Sequence, residues 1–225
     1  MSGVCLVTSA PRRGRRPGRP PLQPDGPDQR QRLVDIALEL IARKGYAETT
    51  LAGIARAAGM TSAAVHYYFK TREQLFDVLF DERIAPMRKR LEGIFLDNAE
   101  DPVAAFSELA RRFVTIAGDS PWMGPVFFGE MLSDNDLFKQ HMQKRLGDSR
   151  QIVVIDTIRR WQEEGRLSKG LDPALLMTTV LSLTVLPMSA IRKWKDDPLR
   201  GHIDAEVITR HAIAVLSAGI ATPPG

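Results

Sequence analysis

The chain has a single cysteine, Cys5. No intrachain disulfide can form, and the chain fits a reducing compartment. Its four histidines, His66, His141, His202 and His211, are scattered, and no HExxH, glycine-rich phosphate loop or Cys/His metal spacing occurs. The expectation is no metal, no cofactor and no enzyme; pairing of carboxylates across the fold is not readable from sequence and leaves the enzyme reading open. Long apolar runs are also lacking. The greasiest stretch, Leu175 to Ile191, is interrupted by Thr178, Thr179, Ser182, Thr184 and Pro187, and falls short of the roughly 20 residues that span a bilayer. It reads as a buried or interface helix, with no membrane partner. The opening MSGVCLVTSAPRR is not ordered as a signal peptide, because its arginines follow a short apolar run.

What is present is a core and a local excess of charge. The 225 residues are 44% hydrophobic, enough for one or two domains that bury a core. Net charge is +4, yet residues 10 to 21 hold five arginines and no acid; without them the remainder carries −1. A basic arm seeks a polyanion. Residues 1–27, rich in Pro, Gly and Arg, are predicted to be disordered when free. Within them Arg16-Pro17-Gly18-Arg19-Pro20 resembles an AT-hook, which would place Arg16 and Arg19 in a narrow A·T minor groove. Pro17 departs from that pattern, and simple phosphate binding is the alternative.

Periodicity then turns helical. Residues 28–44 carry Leu33, Ile36, Ala37, Leu40 and Ile41 on one face, and Gly45 supplies a stop. Tyr46 is expected to pack back onto this helix. Thr50 is positioned to cap a second helix, Gly59 to end it, and Thr61 or Ser62 to cap a third that runs to about Tyr68. Met60 and Val65 face inward on this pattern, leaving Ser62, Ala63, Ala64, His66 and Tyr67 outward. Tyr67 and Tyr68 cannot share a face, and Tyr68 is assigned to the core.

The block Gln31 to Phe80 resembles the DNA-binding domain of the TetR family of bacterial transcriptional regulators. The resemblance rests on Gly45-Tyr46, Thr49-Thr50, Ile54-Ala55, Ala58-Gly59-Met60-Thr61, Val65-His66-Tyr67-Tyr68-Phe69 and Arg72-Glu73-Gln74-Leu75. His66 stands where a tyrosine is common, and Tyr68 where a histidine is common. The resemblance implies an all-α protein, with a three-helix helix-turn-helix domain at 28–73 and a helical ligand-binding and dimerisation domain at 74–225. It implies that Thr50, Tyr67 and Arg72 contact phosphates, and that Thr61, Ser62, Ala64 and His66 approach base edges. Phosphate contacts set register, and base edges carry sequence information.

Beyond Arg72 the pattern predicts a long helix to about Leu96, kinked or split at Pro86. Asp101-Pro102 and Asp172-Pro173 start further helices, and Gly147 breaks the region 134–164. The aromatic segment Pro121 to Leu132, with a lone acid, reads either as a pocket wall or as an ordinary buried helix. The pocket reading takes Trp122, Met123, Phe127, Phe128, Glu130, Met131, Trp161 and Met177 as lining for an apolar or aromatic effector. The helices over 172–191 and 204–218 are too apolar for one surface, which predicts a two-fold four-helix interface; Ile208, Ala212, Val215 and Leu216 share one side. The reading that emerges is a cytoplasmic, nucleoid-associated homodimer that binds double-stranded DNA and is released by a small-molecule effector. An architectural DNA binder relying on the arm, and a regulator sensing a protein partner, remain as alternatives.

Overall fold

The computed structural model describes residues 27–147 and 149–220, and every regular element among them is helical. The arm with Arg16 and Arg19, and the side chain of Leu146, lie outside the described residues. The head is built from α1 (Pro27–Lys44), α2 (Leu51–Ala58), α3 (Ser62–Tyr68) and α4 (Arg72–Leu79). Its core joins Leu33, Val34, Ala37, Leu38 and Ile41 of α1 to Ile54, Ala55, Val65, Phe69, Leu75, Phe76 and Leu79. Ile36 and Leu40, expected on the buried stripe, are only half-buried. The stripe is turned because α1 is covered from two sides, by α2 and α4 and by a helix of the body.

The long helix expected after Arg72 is interrupted. α4 passes into one π-helical turn, Phe80–Ile84, then α5 (Ala85–Lys89), a turn at Gly93 with φ of 81°, and α6 (Ile94–Asp97). Pro86 has no N–H and its ring crowds the carbonyl four residues back; widening the preceding turn accommodates it. That widened turn also holds α1. Arg30 donates twice to Glu82, at 3.0 and 2.7 Å, and Arg83 donates to Asp35 at 2.8 Å. The boundary expected at 73/74 thus falls inside α4, with no linker there.

The body contains α7 (Pro102–Asp119), α8 (Met123–Met131), α9 (Leu137–Leu146), α10 (Ser149–Glu163), α11 (Pro173–Trp194) and α12 (Ala205–Ile220). Asp101 and Asp172 cap α7 and α11, accepting from Ala104 N at 2.9 Å and Ala174 N at 2.8 Å; each such cap contributes about 1 kcal/mol. α7 is the central beam. It packs on α11 and α12 and buries Phe106, Leu109, Phe113 and Ile116, each large apolar side chain giving about 1.5–3 kcal/mol. α8 lies between α11 and α1. A Cβ at Gly124 would meet Ser189 Oγ at 1.8 Å, so only hydrogen fits where α8 crosses α11.

Helix α11 is longer than the apolar run suggested. Its 22 residues are long and apolar enough, by length and composition, to cross a membrane. It is instead two-faced: Leu176, Val180, Thr184 and Val185 are buried, while Leu175 and Leu186 are 62% and 52% exposed beside Thr178, Thr179 and Ser182. On α12, Ile208, Ala212, Leu216 and Ile220 are buried. Val215 does not join them; it is 43% exposed, on an outer side with His211, Ala214 and Ala218.

Candidate nucleic-acid interface

The head presents α3 to solvent. Thr50 accepts from Gly53 N at 3.1 Å, and Thr61 accepts from Ala64 N at 3.2 Å, so both hydroxyls cap their helices. Accepting leaves each O–H free to donate outward. Gly53 replaces the acid often found at that position, and even a methyl there would come within 3.3 Å of Thr50 Oγ1. Gly59, with φ of 68°, makes the turn between α2 and α3. Val65 and Phe69 anchor α3 inward, while Ser62, Ala63, His66 and Tyr67 are exposed and Ala64 is half-buried.

The paired tyrosines divide as their spacing requires. Tyr67 is 67% exposed, and Tyr68 is half-buried against the core, the two rings meeting edge-on at 5.2 Å. His66 Nδ1 lies 3.3 Å from the Lys70 carbonyl. A carbonyl can only accept, so Nδ1 carries the proton and Nε2 of the neutral ring is left as an acceptor. Lys70, absent from the candidates drawn from sequence, is exposed between α3 and α4, and its N–H donates to Gln74 Oε1 at 2.7 Å. A basic residue just before the Thr71 cap was the available signal.

Arg72, expected at the phosphate backbone, is also bound within the protein. Its Nε donates to the Thr49 carbonyl at 2.7 Å and its Nη2 to the Tyr46 carbonyl. The guanidinium lies 4.7 Å from the Tyr46 ring centre and 4.4 Å from that of Phe76. It ties the α1–α2 loop to α4. Tyr46, expected to pack back onto α1, shares its buried cluster and also packs at 4.4 Å against Phe76 and at 5.7 Å against Phe138 of α9.

The residues expected around an effector fall into two groups. Trp161 is buried beside Phe95 and Phe106, and its indole donates to the Ala99 carbonyl at 2.6 Å. Trp122, Met123, Phe127, Phe128, Glu130 and Met131 follow α8. Met123 is buried, Trp122, Phe127, Phe128 and Met177 are half-buried, and Met131 is exposed. Glu130 Oε1 accepts the backbone N–H of Tyr46 at 2.5 Å, so the lone acid of this segment is committed to the head. A separate open groove between α6 and α7 is lined by Asp97, Asp101, Glu108, Arg111 and Arg112, none of which was expected to bind an effector.

The sequence profile described as "Bacterial regulatory proteins, tetR family" matches residues 33–79, and "YcdC-like protein, C-terminal region" matches 81–186. The chain belongs to the TetR family of transcriptional regulators. TetR-family proteins bind DNA and act as dimers. The HTH-type transcriptional repressor KstR2 of Mycolicibacterium smegmatis is 22% identical over 216 residues, 91% of this chain and 98% of that protein. The fatty acid metabolism regulator protein of Bacillus subtilis is 29% identical over 87 residues, 39% of this chain and 45% of that protein, so this match spans less than half of that relative. In fold, the ketosteroid transcriptional regulator KstR2 of Mycobacterium tuberculosis superposes with a TM-score of 0.61 at 18% identity, covering 88% of this chain and 97% of that one. The TetR profile ends where the π-helical turn begins, so the matched head is the unit formed by α1 to α4.

Proposed function

We propose that this TetR-family chain is a cytoplasmic, homodimeric repressor that reads a palindromic operator and is released by a small apolar or aromatic effector. The observation that carries the reading is the exposed polar face of α3, held rigid by Val65 and Phe69 behind it. Thr50 and Tyr67 donate to phosphates, joined by Lys70 and the Thr71 hydroxyl at the start of α4. Arg72 acts on the backbone indirectly, by fixing the loop that carries Thr50. Thr61, Ser62, Ala64 and His66 face base edges. An acceptor at His66 Nε2 suits the amino group of adenine or cytosine in the major groove.

The outer sides of α11 and α12 form the dimer interface. Leu175, Leu186 and Val215 supply apolar area there, and Ala214 and Ala218 allow close approach. The effector enters beside the half-buried Trp122, Phe127, Phe128 and Met177, with Met131 at the rim and Met123 and Trp161 as buried backing. The names of the two relatives, a fatty acid regulator and a ketosteroid regulator, support an apolar carbon skeleton. The arm adds Arg16 and Arg19. Gln29, near the start of α1, donates to Met60 Sδ, so α1 begins beside the helix-turn-helix turn. At about 3.5 Å per residue, the stretch from Arg19 to Pro27 reaches about 28 Å, enough for a flanking minor groove.

Selection of binding sites from a random DNA pool by the full chain tests this reading. A palindrome with two similar half-sites is expected. Mere A·T enrichment would favour an architectural role for the arginine-rich arm.

A further inference from the structure

Tyr46 is held by five residues, three of them from the body. Its N–H donates to Glu130 on α8 at 2.5 Å, and its carbonyl accepts from Arg72. Its ring packs on Phe76 and Phe138, and its hydroxyl lies 2.9 Å from His141 Nδ1 on α9. His141 Nε2 in turn lies 3.0 Å from Asp77 Oδ1 on α4, and the imidazole stacks on Phe80 at 4.5 Å. Asp81 and Asp77 face Arg145, one turn further along α9. The head is therefore clamped to the body around one residue of the loop that precedes α2.

The proton positions follow from the chemistry. A carboxylate accepts, so His141 Nε2 carries a hydrogen. Nδ1 of the neutral ring then presents a lone pair, and Tyr46 O–H donates to it. Protonating His141 turns Nδ1 into a donor, and Tyr46 must redirect its own proton away from the ring. The second oxygen of Glu130 is buried and has no hydrogen-bond partner among the described residues. This carboxylate is thus half-satisfied, and leaves the closed arrangement more readily than a fully paired one.

We propose that the Tyr46 joint transmits the state of the body to the helix-turn-helix, and that protonation of His141 opens it and lowers DNA affinity. Burial holds His141 below its ordinary value of 6.5 against the pull of Asp77, and Arg145 and Lys144 add to the lowering. The remaining charged groups around the joint are Arg72 and Glu73 on α4, Asp81 on the π-helical turn and Glu130 on α8. Because the closed joint disfavours the charged ring, its stability is complete above about pH 6.5 and falls as pH drops below it. Tyr46 itself stays neutral, since burial pushes its hydroxyl up to about 12. A head no longer clamped loses preorganisation, which weakens binding.

The inference rests on the DNA-binding reading, and two readouts separate their failures. Hydrogen exchange of the peptide containing the Tyr46 amide, corrected for intrinsic rate, is followed in the full chain from about pH 8 to about pH 5. Affinity for the selected operator is measured over the same range in the parent chain and in His66→Gln, each relative to its own value at about pH 8, so that the histidine facing DNA is separated from His141. Protection and affinity should each fall by about three- to tenfold on acidification. In His141→Gln both should become independent of pH, and Tyr46→Phe should show low protection throughout while keeping its helical signal. Unchanged protection across the range, or a pH response that survives His141→Gln, overturns the proposal. Absence of operator binding by the parent chain at every pH would count against the DNA-binding reading instead, and the exchange data would still decide the joint.

Discussion

Glu130 accepts the backbone N–H of Tyr46 at 2.5 Å. Six residues earlier on the same helix, Gly124 presses against Ser189 of α11. α8 is therefore a short strut. One end rests on a helix with an exposed apolar face, and the other grips the loop that opens the helix-turn-helix.

The strut predicts a steric effect. Ser189 Oγ is fixed by donating to the Val185 carbonyl at 2.7 Å, so it cannot easily swing from an added methyl at Gly124. Gly124→Ala should cost about 1–3 kcal/mol of stability, read as a lower urea midpoint. Adding Ser189→Ala should recover part of it. A Gly124→Ala chain as stable as the parent would show that the two helices do not meet so closely.

Tyr67 offers its hydroxyl from an exposed ring. Tyr67→Phe should weaken binding to all DNA sequences alike, by about two- to tenfold, the worth of one hydrogen bond. Site selection with the variant checks this. A changed motif would mean that Tyr67 reads bases.

The arm is expected to act through charge. Removing residues 1–26 should weaken binding and flatten its salt dependence. The slope falls by up to about 4.5 if all five arginines meet phosphates, at roughly 0.9 each. Titrations at several salt concentrations measure it. Complete loss of sequence preference on deletion would place the reading of sequence in the arm.

Leu186 marks the proposed dimer face. Leu186→Glu would bury a charge without a partner and should weaken self-association at least about tenfold in analytical ultracentrifugation. An unaltered dimer would move the interface elsewhere.

Much of the head was legible in the sequence because its signals are local. Thr50, Gly59 and Thr61 act within one turn of where they stand, and the Tyr67–Tyr68 pair divides as adjacent helical positions must. The breaks at Pro86 and Gly147 were visible for the same reason. The partners of Tyr46, Arg72 and Glu130 were not legible, because they are remote in sequence. Tyr46 and Glu130 are 84 positions apart, and Tyr46 and His141 are 95 apart. No periodicity encodes such a contact. The resemblance implied a phosphate contact for Arg72 but not its bonds to the loop carbonyls of Tyr46 and Thr49. Val215 was misassigned because α12 is apolar on both sides, so hydrophobicity alone cannot say which side meets α7.

The central claim is that two copies of α3, held by one dimer, read two half-sites together. The direct test is affinity for the selected operator after base pairs are inserted between its half-sites. About 5 inserted pairs, half a helical turn, put the half-sites on opposite faces of the duplex. The account predicts that affinity then collapses towards the non-specific level and recovers at least partly with about 10 pairs. Affinity that is indifferent to the insertion would contradict it.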